Sequence, residues 1–312
     1  MKSVNFIIKT LLVLVIVVGA GCAYFDNETL QINELNAEGL DGQFIELTQG
    51  RTYYELSGSE KGDVVVLVHG FSVPSYLWKP TKQALLEAGY QVLTFDLFGR
   101  GYSDRPESDY GIDLYVQQLL DLLASLNVQE PVNLVGISMG GAVVTHFTNR
   151  YPDKVNKISL LAPLIETPSR SELALLRVPL LGEYLAKVVV VPMLKNSIDR
   201  VVYDPLVFPD WYTKFSVQTQ YEGFALAILK TAHYLDGKEF NREYEQLGQR
   251  NIPIQLFWGR QDKIIPFTDS AKVLNALGKI EFIPLDKTGH LPHYEHPKVV
   301  NNRLIAFIRR EE

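Results

Sequence analysis

The sequence predicts an α/β fold: a mostly parallel central sheet flanked by helices, with a helical cap inserted over one edge of the sheet. Three observations carry that prediction. Val64-Val65-Val66-Leu67-Val68 is an unbroken apolar run, as expected of a strand buried on both faces. Strand and helix signals alternate along most of the chain, which points to crossover units and parallel pairing. From about residue 164 to 250 the alternation stops, and helical, Pro-punctuated segments take its place.

The elements follow in order. Segments 44–47 and 52–56 read as the arms of an antiparallel hairpin. After the valine strand come a helix over about 77–88, ended by Gly89, and a strand over 92–95. Leu114, Leu119, Leu122, Leu123 and Leu126 recur at helical spacing and predict a helix over 113–126. A strand over 132–137, a helix over 139–150 and a strand over 158–161 complete the first half. Beyond the insertion, a strand over 254–258, a helix over 268–277, a strand over 280–284 and a helix over 293–308 close the chain. The division that results is a leader at 1–22, a tether at 23–40, a body formed by 41–163 with 251–312, and a cap at 164–250.

With 46% hydrophobic and 21% charged residues, the 312-residue chain has an ordinary globular composition, which excludes global disorder. The net charge of −6 and the lack of a basic block exclude a nucleic-acid partner, which would need a positive stripe to face phosphates. The single cysteine, Cys22, excludes an intrachain disulfide. Its setting is informative. Lys2 and Lys9 precede an uncharged run over 11–18, followed by Gly19-Ala20-Gly21-Cys22. This order resembles a bacterial lipoprotein signal in which Cys22 becomes the lipidated first residue, with Gly19 standing where a Leu is usual. The alternative is an uncleaved anchor over 4–25 whose Lys9 snorkels to the interface. Both place the protein outside the cytosol, tethered to a membrane by its N-terminal segment.

Gly136-Ile137-Ser138-Met139-Gly140 fits G-x-S-x-G between a predicted strand and a predicted helix. A nucleophile on so tight a turn needs neighbours without a Cβ, which explains the flanking glycines. A serine hydroxyl also needs a base. Of six histidines, His290 in Thr288-Gly289-His290 follows the last predicted strand and so returns to the sheet edge where Ser138 sits. His293 and His296 sit at helical spacing after it, but Pro292 interrupts any regular metal-binding helix, and they read as polar residues of the next helix's first turn. The base needs an acid to orient it. Asp262, just past the strand over 254–258, fits that role, with Asp286 and Glu166 as rivals. The order Ser, Asp, His is that of α/β-hydrolases. In that fold the turn matching His69-Gly70-Phe71 presents a backbone N–H toward the bound carbonyl, so similarity to it makes Phe71 and Met139 the expected oxyanion donors. This chemistry calls for no cofactor and no metal.

From about residue 44 to 310 the chain resembles α/β-hydrolases. The resemblance rests on Val68-His69-Gly70-Phe71, on the stretch from Asp96 to Asp104 containing Gly99-Arg100-Gly101, on Gly136 to Gly141, on Trp258 to Asp262 and on Gly289-His290. It implies the α/β-hydrolase fold and a carboxylesterase- or lipase-like serine hydrolase. Ser138 separates the chain from haloalkane dehalogenases and epoxide hydrolases, which carry Asp there. Carbon–carbon bond hydrolases of the meta-cleavage type and perhydrolase/haloperoxidase relatives remain as alternative reactions, and a non-catalytic binding module on the same fold as an alternative class. Most of the cap aromatics Phe208, Trp211, Tyr212, Phe215, Tyr221 and Phe224 should pack the cap onto the body, and those that line the pocket suggest a small apolar ester as the substrate.

Overall fold

The structure, a computed structural model, describes residues 27–32, 40–169 and 171–310, together with Lys9 and Gly19. The expected leader, Cys22 and most of the tether lie outside the described residues. Among the described residues no helix is long and apolar enough to cross a membrane.

Eight strands form one sheet in the order β1-β2-β4-β3-β5-β6-β7-β8. β1 (Gln43–Leu47) and β2 (Gly50–Ser57) make the predicted hairpin, and β2 pairs antiparallel with β4 (Gln91–Phe95). All other neighbours are parallel: β3 (Val64–Val68), β5 (Val132–Ile137), β6 (Val155–Leu161), β7 (Ile254–Gly259) and β8 (Glu281–Leu285). The apolar runs follow from this. Val66 and Val68 enter the core on one face of the sheet, whereas Val65 and Leu67 enter the core on the other. β5 divides the same way, with Leu134 on one face and Val135 and Ile137 on the opposite one. A strand covered on both sides cannot alternate with polar residues.

Helices α1 (Lys79–Glu87), α2 (Ile112–Ser125) and α3 (Met139–Arg150) follow β3, β4 and β5. The segment between β6 and β7 is built from short helices: α4 (Leu181–Leu185), α5 (Val191–Lys195), α6 (Ile198–Val201), α7 (Trp211–Gln218), α8 (Phe224–Leu235) and α9 (Asn241–Gly248). A π-helical turn, Ala186–Val190, joins α4 to α5. After β7 come α10 (Ser270–Leu277), α11 (Pro292–Glu295) and α12 (Pro297–Arg309).

The single closing helix expected over 293–308 is therefore two. His296 sits at φ −127°, ψ 58°, outside the helical region, and precedes Pro297. A proline ring disfavours helical backbone in the residue before it, so the chain breaks there and restarts.

From β3 the chain moves outward to β4, then crosses back over β3 to β5. The carboxyl ends of β3 and β5 thus lie at the point where winding changes direction, the place where open α/β sheets bind ligands.

Candidate active site

Ser138 is the first residue after β5 and adopts φ 55°, ψ −124°, a conformation that L-residues avoid. Main-chain bonds hold it there. Its N–H donates to the Leu161 carbonyl at 3.0 Å, and its own carbonyl accepts from Gly141 and Leu164, each at 2.9 Å. The turn closes only because Gly140 has no side chain: a Cβ there would lie 2.3 Å from the Val68 carbonyl oxygen. Met139 opens α3, so its N–H has no carbonyl one turn earlier in the helix to bond to.

His290 and Asp262 arrive from the loops after β8 and β7. Their side chains are buried, and His290 Nδ1 lies 2.7 Å from Asp262 Oδ2. The other carboxylate oxygen accepts the N–H groups of Ile264 at 2.8 Å and Ile265 at 2.9 Å. The negative charge is thereby satisfied on both oxygens, and the imidazole is fixed in orientation. The rivals point elsewhere. Asp286 is exposed and pairs with Arg260 at 3.0 Å; Glu166 pairs with Lys272 at 2.6 Å.

The loop after β3 lies against Ser138, since a Cβ on Gly70 would come within 3.1 Å of the Ser138 Cβ. Two buried side chains hold this loop by its carbonyls. Arg100 Nε donates to the Phe71 carbonyl at 2.8 Å, while its other nitrogens reach Tyr115 Oη and Thr231 Oγ1, each at 2.8 Å. Gln218 Nε2, from α7, donates to the Ser72 carbonyl at 2.6 Å, and its Oε1 accepts the Gly101 N–H at 3.1 Å. His69 braces the loop's base. Its Nε2 accepts the Leu97 N–H at 2.8 Å, so Nδ1 carries the proton and donates to the Gly70 carbonyl at 2.9 Å. Burial pushes the His69 imidazole down to about 3, which keeps it neutral in this double role.

The cap also grips the histidine loop. The His290 N–H donates to the Val201 carbonyl of α6 at 2.7 Å. Glu295 bridges the same two parts, accepting the Gly289 N–H at 2.8 Å and the Tyr203 N–H at 2.7 Å. Burial raises its carboxyl above the usual range, against the pull of those amides.

Histidines 290, 293 and 296 face three different environments. His293 lies in the first turn of α11, as its sequence position suggests. It is fully buried, packed on the Trp78 ring at 4.4 Å between centroids, and held down to about 3 by burial. α11 packs against α1 and against the turn that carries Trp78. His296 Nε2 lies 3.2 Å from the Lys287 carbonyl.

Ser138, His290, Gly70 and Phe71 line one cavity of about 280 Å³. From the cap, Met193, Leu194, Ser197, Arg200, Val201 and Trp211 complete it. Of the six cap aromatics, Trp211 lines this cavity, while Phe208, Phe215, Tyr221 and Phe224 are buried in packing, as expected of most of the set. Arg200 and Lys263 stand in the wall, and among the described residues no carboxylate joins them there. Sequence reasoning missed Arg100, Gln218 and Glu295. Arg100 sits inside the motif from Asp96 to Asp104, where a signal was present; a lone glutamine in a cap helix gives none.

Residues 63–297 match the profile of the α/β-hydrolase fold, and the chain belongs to that family. It is 25% identical over 290 residues to a 2-hydroxy-6-oxononadienedioate/2-hydroxy-6-oxononatrienedioate hydrolase of Paraburkholderia phymatum, spanning 88% of this chain and 97% of that one. The bromoperoxidase of Bacillus anthracis superposes with a TM-score of 0.74 at 23% identity, over 86% of this chain and all of that one. A membrane phospholipase A described as a bacterial virulence factor superposes with a TM-score of 0.70 at 23% identity, over 99% of this chain and 98% of that one.

Proposed function

We propose that the protein is a serine hydrolase that cleaves carboxylic esters through an acyl-enzyme on Ser138. The observation that carries the reading is the buried 2.7 Å contact between His290 and Asp262, with His290 sharing a cavity with a strained serine. His290 takes the hydroxyl proton through the nitrogen that Asp262 leaves free, and Asp262 stabilises the resulting imidazolium. The oxygen attacks the ester carbonyl, whose developing charge is met by the N–H groups of Phe71 and Met139. The proton passes to the departing alcohol. Water then repeats the sequence on the acyl-enzyme and releases the acid.

A lipid ester is the substrate class best supported. The uncharged leader run over 11–18 favours a membrane location, and the apolar cavity wall suits an acyl chain. Arg200 and Lys263 favour a negative charge elsewhere on the substrate. The phospholipase neighbour, matched over nearly the whole chain, agrees with this.

Ser138→Ala should abolish hydrolysis of p-nitrophenyl butyrate and labelling by a fluorophosphonate probe. Retained turnover would overturn the assignment, and a wild-type chain that takes up no probe would favour a non-catalytic module. Carbon–carbon bond hydrolysis is the second reading, favoured by the Paraburkholderia relative. Faster turnover of a dienoic diketone than of any ester would select it.

A further inference from the structure

Eleven of the thirteen exposed large apolar side chains among the described residues lie in the cap between 171 and 235. Exposed apolar side chains mark an interaction site where they are contiguous. Their placement is specific. Met193 (52% exposed) lies on α5 and lines the Ser138 cavity, and Ile264 (42%) lines the same cavity from the body side. Val189 (53%) is one turn before Met193 on the continuous helical stretch. Tyr212 (53%) lines a neighbouring cavity with Val191, Pro192 and Lys195, and these α5 residues turn away from the Ser138 cavity.

That neighbouring cavity contains Asn27 and Glu28, the start of a strap that ties the N-terminal chain to the cap. Glu28 accepts the Ala225 N–H at 2.6 Å and the Gly223 N–H at 3.2 Å where α8 begins, and it pairs with Lys187 at 3.4 Å. Leu30 forms a parallel bridge with Tyr221. The Ile32 carbonyl accepts from Arg51 Nη2 at 2.8 Å. The strap and the mouth of the Ser138 cavity are thus separated by one five-residue helix, α5. In sequence the strap is preceded by 26 residues that include the uncharged run over 11–18.

We propose that this cap face docks on a lipid bilayer, with the strap holding the mouth of the Ser138 cavity against the membrane surface. The occupant is a bilayer and not an anionic polymer, because the cap from 171 to 235 carries six basic and six acidic residues, leaving apolar contact as the attraction. An ester drawn from the bilayer would then reach Ser138 past Met193 and Ile264 without crossing water.

The test uses the full chain reconstituted in phosphatidylcholine vesicles. Trp78, Trp211 and Trp258 are all buried and so shielded from a lipid-borne quencher, and the quenching added by Val189→Trp reports that site. Brominated phosphatidylcholine should quench it and should not quench Lys154→Trp, which is exposed on the turn entering β6 at the opposite sheet edge. This readout needs no activity, so it stands apart from the ester-hydrolase reading on which the second measurement rests. Val189→Glu with Tyr212→Glu should lower hydrolysis of a bilayer-embedded ester about tenfold while leaving p-nitrophenyl butyrate turnover unchanged. Absence of quenching at 189, or equal loss on both substrates, overturns the proposal. A fall in oligomer mass in detergent on introducing the two glutamates would also overturn it, by making this face a contact between copies. Loss of both activities in Ser138→Ala, with quenching intact, leaves docking and chemistry separately established.

Discussion

From the body, His290 is held through its ring, by the Asp262 carboxylate at 2.7 Å, and Asp262 in turn by two backbone amides of its own loop. From the cap, the same residue is held through its main chain, by the Val201 carbonyl at 2.7 Å. The loop carrying Phe71 shows the same division. Body residue His69 braces its base, whereas Gln218 of the cap and Arg100, itself bonded to Thr231 of the cap, hold its carbonyls. The body therefore sets the electronic state of the proposed reacting groups, and the cap shares in setting where their backbones stand. A lid that only covered the cavity would make none of these bonds.

The largest effect should come from the body side. Asp262→Asn keeps the shape but turns an amide N–H₂ either to the His290 ring N–H or to the Ile264 and Ile265 N–H groups. Loss of the acid should lower kcat by about four orders of magnitude, the scale found when the acid of such a triad is made an amide. Steady-state hydrolysis of p-nitrophenyl butyrate measures it, with circular dichroism to establish that the fold is kept. A drop below tenfold would place the orienting acid elsewhere and collapse the contrast between the two regions.

A smaller effect of a different kind is expected from the cap. Gln218→Leu removes the bond to the Ser72 carbonyl and leaves the Gly101 N–H without its acceptor. Misplacing an oxyanion donor by a fraction of an ångström should cost kcat about tenfold, or ~1.4 kcal/mol, with KM little changed. Arg100→Lys should act in the same direction, since an ammonium cannot reproduce the fork that reaches Phe71, Tyr115 and Thr231 together. Because both side chains hold one loop, the double variant should lose less than the product of the two single losses. Strict additivity would show that they act independently.

This division also explains what could be read from the sequence. The body was legible because each strand buried on both faces must be apolar throughout, as in Val64–Val68, and because the tight turn at Ser138 admits only glycine at Gly140. Asp262 and His290 could be placed because each follows a strand, and strand ends share one edge. The cap gave no such periodicity. Its helices are mostly four to eight residues long, too short for a 3.6-residue pattern to repeat, and its contacts with the site run through main-chain atoms that no side chain announces. The burial of His293 was not legible for a related reason: it depends on Trp78, more than two hundred residues away in the chain.

The smallest effect concerns pH and separates the body's brace from the cap's pins. Burial holds His69 and His293 down to about 3, against about 6.5 when unfolded. Between those values the unfolded chain binds protons that the folded chain refuses, so stability falls as pH drops below about 6.5, by at most ~1.4 kcal/mol per pH unit for each histidine. His293→Phe keeps a ring against Trp78 and removes one proton from that balance, so the urea midpoint should depend less steeply on pH between 4 and 6. His69→Phe removes a proton too, but it also strands the Leu97 N–H and the Gly70 carbonyl, at a cost of roughly 1–3 kcal/mol at every pH. If the cap alone placed the loop bearing Phe71, His69→Phe would lower stability and leave kcat at the wild-type value. A kcat loss comparable with that of Gln218→Leu would show that the loop stands on the body as much as it hangs from the cap.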